Sequence, residues 1–152
     1  MSAEARLAEL GITLPEAPTP AGSYVPVNRT GNLVFTAGQI PTTDGAISHR
    51  GVVGADVDLE TANAAARVCT LNGLAAVRKA LGSLDEIEKV VKVTGFVSSA
   101  PGFTDQPKVI NGASDFLLEV FGDAGLHARS AVGVAGLPLG VCVEVEFIFQ
   151  VK

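Results

Sequence analysis

The chain has 152 residues, 47% apolar and 18% charged, with 16 acidic against 11 basic side chains and a formal net charge of −5. An acidic chain lacks the global attraction for phosphate that drives nucleic-acid affinity, and no Trp, one Tyr and seven Phe leave little material for base stacking, so no nucleic-acid partner is expected. The length suits one domain, 1–152, whose core needs neither disulfide nor structural metal, and a mean hydropathy of +0.38 points to a subunit interface.

Residues 2–10 read as a short amphipathic helix stopped at Gly11. Glu4, Arg6 and Glu9 break its apolar positions, which excludes a signal peptide, and no run elsewhere is long enough to cross a bilayer. No membrane partner is expected, and a cytoplasmic location is. The following "LPEAPTPAG" carries three prolines that forbid regular structure and suggest an extended arm, so 1–21 reads as a helix and proline-rich arm that leads to Tyr24. "NRTGNLVFTAGQIP" then reads as two short strands around Thr30–Gly31–Asn32, and Asp44-Gly45 marks another turn, with a weaker strand over Gly51 to Val53.

From Asp58 to Leu81 the period changes to that of a helix, with Asp58 as its cap, Ala62, Ala66, Cys69, Gly73, Val77 and Ala80 on one face, and Gly82 ending it. So many small side chains predict close approach to a flat partner such as a sheet. Val90 to Val97 is the next strand. A second helix begins near Thr104, tolerates Pro107 in its first turn and aligns Val109, Ala113, Phe116 and Val120. Two strands finish the chain, "ARSAVGVAGLP" and "VCVEVEFIFQVK". The last alternates Val141, Val143, Val145, Phe147, Phe149 and Val151 with Cys142, Glu144, Glu146, Ile148 and Gln150. Joined as a hairpin through Pro138 to Gly140, these strands would set Arg129 opposite roughly Ile148.

The order predicts an α+β domain with both helices on one side of a mixed sheet. No GxGxxG turn follows a strand and no Walker-type loop is present. Cys69 and Cys142 lack CxxC spacing and read as buried hydrophobes, while His49 and His127 show no ligand spacing, so no metal site is expected.

The polar groups left beside apolar strands are Arg129, Glu144, Glu146, Tyr24, Asn111 and Gln39. The planar fork of Arg129, charged at any working pH, suits the carboxylate of a small acid; a surface position or an internal salt bridge is the other reading. Glu144 reads as a general base or a water-orienting group if burial raises its pKa, or else as a solvated edge or an intersubunit ion pair. Tyr24 offers a phenol as proton donor, or only packing.

"GSYVPV" (22–27), "FTAGQIP" (35–41), "VINGASDFL" (109–117) and above all "ARSAVGVAGLPLGVCVEVE" (128–146) resemble the motifs of the YjgF/RidA family, also known as endoribonuclease L-PSP. The resemblance runs from about Gly22 to the C-terminus. It implies a chorismate-mutase-like α+β fold with a six-stranded mixed sheet and two helices on one face. It also implies a homotrimer whose sheets form a central barrel, with a cleft at each interface and no cofactor.

RidA-type members hydrolyse enamines and imines such as 2-aminoacrylate to 2-keto acids and ammonia. By position, Arg129 matches the arginine that grips the substrate carboxylate and Glu144 the glutamate that holds the attacking water. Tyr24 matches a cleft tyrosine reached from a neighbouring subunit, Asn111 the asparagine of the second helix, and Gly38 and Ala131 the pocket lining. A non-catalytic module that binds 2-keto acids is the alternative, with a ribonuclease or translation inhibitor behind it. Gly22-Ser23-Tyr24 replaces the family's usual Gly-Pro-Tyr, Ala131 stands where RidA carries a cysteine, and the N-terminal segment is longer than in compact members, features that resemble a subgroup with an N-terminal extension.

Overall fold

The alternation of residues 143–151 governs the layers, because every second side chain of that strand is buried and the others are half-buried. In chain order, helix α1 spans Ala3–Glu9, and strands β1 (Val27–Thr30) and β2 (Leu33–Thr36) flank a tight turn. A ribbon follows from β3 (Thr42–Thr43) and β4 (Ala46–Ile47), and then helix α2 (Leu59–Leu81), strand β5 (Ile87–Ser98) and helix α3 (Gln106–Phe121). Strands β6 (Ala128–Val134) and β7 (Val143–Val151) complete a computed structural model that describes residues 1–152.

The main sheet has five strands in the order β1-β2-β7-β5-β6, and β3 and β4 pair only with each other, so the expected six-stranded sheet is replaced by five strands and a separate ribbon. The expected strand over Gly51 to Val53 contributes isolated bridges alone, because Gly51 and Gly54 adopt φ of 121° and 92° and break the extended run. Strands β6 and β7 do not form the simple hairpin considered above. Helix α3 is the crossover that lets β6 pair parallel with β5, and β7 takes the other edge of β5 in the antiparallel sense. Arg129 is therefore level with Val93 and, across β5, with Phe147 rather than Ile148.

Both long helices cover one face. A Cβ on Gly95 of β5 would overlap Ile110 of α3, and one on Gly73 of α2 would come within 2.8 Å of the Phe147 ring, which lies on the same side. Asp58 caps α2 by accepting from Thr61 N at 2.8 Å, and Gly82 ends it at φ 88°. Ala80, expected on the buried stripe, is exposed and lines a surface groove with the proline arm and Val25 to Val27. Leu74 and Val77 of α2 and Phe116 and Leu117 of α3 are all buried, and Arg67 of α2 stacks over Phe116 at 4.4 Å. Helix α1 buries Ala3 and Leu7 and is tied to the far end of α3 by Arg6 Nε donating to Glu119 O at 2.9 Å.

The other face of the sheet has no helix over it. Phe35 and Ile148, then Thr94, Ser130 and Glu146, then Phe96, Val132 and Glu144 form its rows, with Phe35 39% and Val132 44% exposed.

The helices touch at Gly112, where an added Cβ would overlap the carbonyl oxygen of Asn63 on α2. Backbone cannot turn aside as a side chain can. Gly112→Ala is expected to destabilise the fold by about 1–3 kcal/mol in urea unfolding, although alanine is the better helix former by about 1 kcal/mol. A neutral or stabilising result would show that the helices have room to part.

Candidate functional site

Helix α3 presents Asn111 and Ser114 one turn apart, and the Gly122–Gly125 turn folds the chain back so that β6 begins beside them. Arg129 lies on the helix-covered face of β6, half-buried, with Nη1 donating to Asn111 Oδ1 at 2.8 Å and to Ser114 Oγ at 3.1 Å. No carboxylate lies within 4.0 Å of it, since the four ion pairs of the chain are Arg6–Glu9, Arg67–Glu119, Arg78–Glu4 and Lys108–Asp105. The guanidinium is thus held by uncharged acceptors, and no ion pair within the chain offsets it. Ala131, two residues on, shares that face and packs partly buried against the core.

Glu144 occupies the opposite face. Between β2 and β7 the pairing slips by one residue: Phe35 faces Ile148, whereas Gln39 bridges to Val145 through hydrogen bonds of 2.8 and 3.0 Å. Thr36 Oγ1 accepts from Phe147 N at 3.0 Å within that bulge. The slip brings Gly38 against Glu144 so closely that a Cβ there would overlap the carboxylate. Burial pushes the Glu144 carboxyl above the ordinary 4.5, and repulsion from Glu146, two residues along the same face, adds to it.

Gly38 and Tyr24 line one cavity of about 110 Å³, whose outer wall is the proline arm at Pro18 and Pro20. The Tyr24 ring is folded back over Gly22, 3.1 Å from where a Cβ of that glycine would sit, and is 54% exposed. Gln39 is structural, with its side-chain amide donating to Ala37 O at 3.2 Å. Both cysteines are buried thiols: burial, then the proximity of Cys142 and Glu144, pushes Cys69 well up, and burial pushes Cys142 to about 11, so neither is a thiolate at neutral pH.

The predicted residues therefore fall into two groups, Arg129 with Asn111 and Ala131, and Glu144 with Gly38 and Tyr24. Rows of Arg129 and Glu144 are three residues apart along β5, about 10 Å at 3.3 Å per residue, and an odd offset puts them on opposite faces. Within one chain they do not meet. Sequence reasoning missed Ser114 and His127. His127 Nε2 is 2.8 Å from Ser114 Oγ, and its Nδ1 is 2.6 Å from Gly125 O. The one signal in the sequence was their spacing, Ser114 one helical turn after Asn111 and His127 two residues before Arg129.

The family model described as "YjgF/chorismate_mutase-like, putative endoribonuclease" matches residues 4–150. Protein TCP17 of Trypanosoma cruzi is 45% identical over 149 residues, covering 97% of this chain and 93% of that protein. The crystal structure of Atu1372 from Agrobacterium tumefaciens, a protein of unknown function, superposes with a TM-score of 0.89 at 46% identity, covering 99% of this chain and 92% of that one. A protein of Escherichia coli named 2-iminobutanoate/2-iminopropanoate deaminase is 33% identical over 137 residues, 90% of this chain and 94% of the relative. With the shared sheet and helix arrangement and a match over nearly its whole length, this chain belongs to the YjgF/chorismate mutase-like family.

Proposed function

We propose that the protein is a cofactor-independent enamine/imine deaminase acting on small 2-carboxylate substrates in clefts between subunits of a homotrimer. The observation that carries this reading is the half-buried Arg129 guanidinium, fixed by Asn111 and Ser114 and paired with no carboxylate of its own chain. A cation so placed attracts a small acid more strongly than it would in bulk water. The E. coli relative named as an imine deaminase supports the reaction class.

In this reading, a substrate such as 2-aminoacrylate docks its carboxylate on Arg129. Protonation of its methylene carbon converts the enamine to an imine, water held by Glu144 adds to the imine carbon, and the proton released passes to the carboxylate. The carbinolamine nitrogen takes that proton back from Glu144, and its C–N bond breaks to release ammonia. The hydroxyl proton lost to solvent as the C=O forms balances the one first added to carbon, leaving pyruvate. Gly38 leaves room for the Glu144 carboxylate, and Tyr24 lines a cavity with the same glycine.

Because Arg129 and Glu144 occupy opposite faces of one sheet, a complete cleft takes the first from one copy and the second from its neighbour. The uncovered face with Phe35 and Val132 is the surface such an assembly would bury. No helix is long and apolar enough to cross a membrane, and a cytoplasmic location goes with the reading. A net charge of −5 opposes a ribonuclease.

Light scattering is expected to give about three times the 15.5 kDa chain mass. Keto-acid release from freshly generated 2-aminoacrylate should be accelerated by the protein, and Arg129→Ala should lower kcat/KM by about a hundredfold or more, the loss expected for a bidentate charge-assisted pair. An unchanged rate in that variant removes the anchor. Thermal stabilisation by pyruvate without turnover would leave the metabolite-binding alternative instead.

Only the ionised Glu144 can take a proton, so kcat/KM should fall as pH drops through its raised pKa, giving an acid limb above pH 4.5. Glu146→Gln removes a like charge and should move that limb to lower pH without abolishing it, since burial is the larger cause of the raised pKa. Glu144→Gln should abolish it.

A further inference from the structure

We infer that Ser114 and His127 form a directional hydrogen-bond relay that sets which edge of the Arg129 guanidinium meets the ligand, an inference that rests on Arg129 being the carboxylate anchor. With a neutral imidazole, the direction of every bond in it follows from donor and acceptor chemistry. A guanidinium only donates, so Arg129 Nη1, 3.1 Å away, must use the Ser114 oxygen as acceptor. The carbonyl of Gly125 only accepts, so at 2.6 Å His127 Nδ1 must carry a proton. In the neutral ring Nε2 is then an acceptor, and the Ser114 hydroxyl donates to it at 2.8 Å.

The relay runs Arg129 to Ser114 to His127 to Gly125, and neither end can reverse it. With Asn111 Oδ1 at 2.8 Å, it occupies both hydrogens of Nη1. Nε–H and the Nη2 hydrogens have no partner within the chain, and together they form the side-on edge that takes a carboxylate through two parallel bonds. An aspartate in place of Ser114 would hold the arginine equally firmly but would neutralise it. A hydroxyl backed by an imidazole orients the cation and leaves its charge for the ligand. Ser114 is 9% exposed and His127 half-buried, so water competes weakly for the inner bond.

Ser114 and His127 are accordingly positioning residues. Calorimetric titration of the assembled protein with pyruvate tests them. Ser114→Ala and His127→Ala should each raise Kd by roughly tenfold, while Ser114→Thr, which keeps the hydroxyl, and His127→Gln, which keeps an acceptor near Nε2, should recover most of the affinity.

Arg129→Ala, expected to abolish binding, separates two failures. Wild-type affinity in that variant defeats the anchor on which the relay rests. No binding there, together with Kd within twofold of wild type in both alanine variants, defeats the relay and spares the anchor. A measurement without variants serves as well: ¹⁵N NMR of His127 at about pH 8, above the ordinary histidine range, should find the proton on Nδ1. A proton on Nε2 would overturn the relay.

Discussion

Strand β5 is hydrogen-bonded on both sides, parallel to β6 and antiparallel to β7, and its side chains alternate between the helix-covered face and the open one. Where each polar group of the site points follows from that arrangement. Val93 carries Arg129 and Phe147 level with it toward α2 and α3, and Phe96 carries Val132 and Glu144 the other way. Moving either neighbour by one residue would turn its whole row over, bringing the buried valines and phenylalanines of β7 to the surface. Burial of Val143, Val145, Phe147, Phe149 and Val151 thus holds the register, and the register holds Arg129 and Glu144.

The electrostatics of the two faces differ in kind. On the helix side a cation sits among neutral acceptors, with nothing from its own chain cancelling its charge. Across the sheet, Glu144 and Glu146 share a half-buried surface without a cationic partner, and burial together with mutual repulsion raises the Glu144 carboxyl. Each is costly to leave unpaired in a low-polarity setting. A ligand acid on the one and a bound water on the other are the partners that the proposed reaction supplies.

Glycines and loops adapt a common sheet to these demands. The one-residue slip after β2 aims Gly38 at Glu144, where any larger residue would displace the carboxylate. The proline arm, unable to join a sheet, lies across the same region and walls the cavity that Tyr24 enters. Helix α1 is fastened to α3 and to the turn before β5 through Glu4, which accepts from Leu84 N at 3.0 Å, and takes no part in either half of the site.

Periodicity read along the chain located both long helices, the Asp58 cap, the Gly82 stop and the buried face of the last strand, because each depends on neighbours within a turn or a few residues. Polar groups beside apolar strands brought Arg129, Glu144, Tyr24 and Asn111 forward together with Glu146 and Gln39, and motif resemblance added Gly38 and Ala131. Strand order was beyond local reading. Whether β6 joins β7 as a hairpin or crosses to the far edge of β5 depends on α3 packing over the sheet, a contact between residues distant in sequence. For the same reason only the tertiary structure set Arg129 and Glu144 on opposite faces and brought Ser114 and His127 to the guanidinium, since hydrogen bonds between a helix and a strand exist only once the layers have closed.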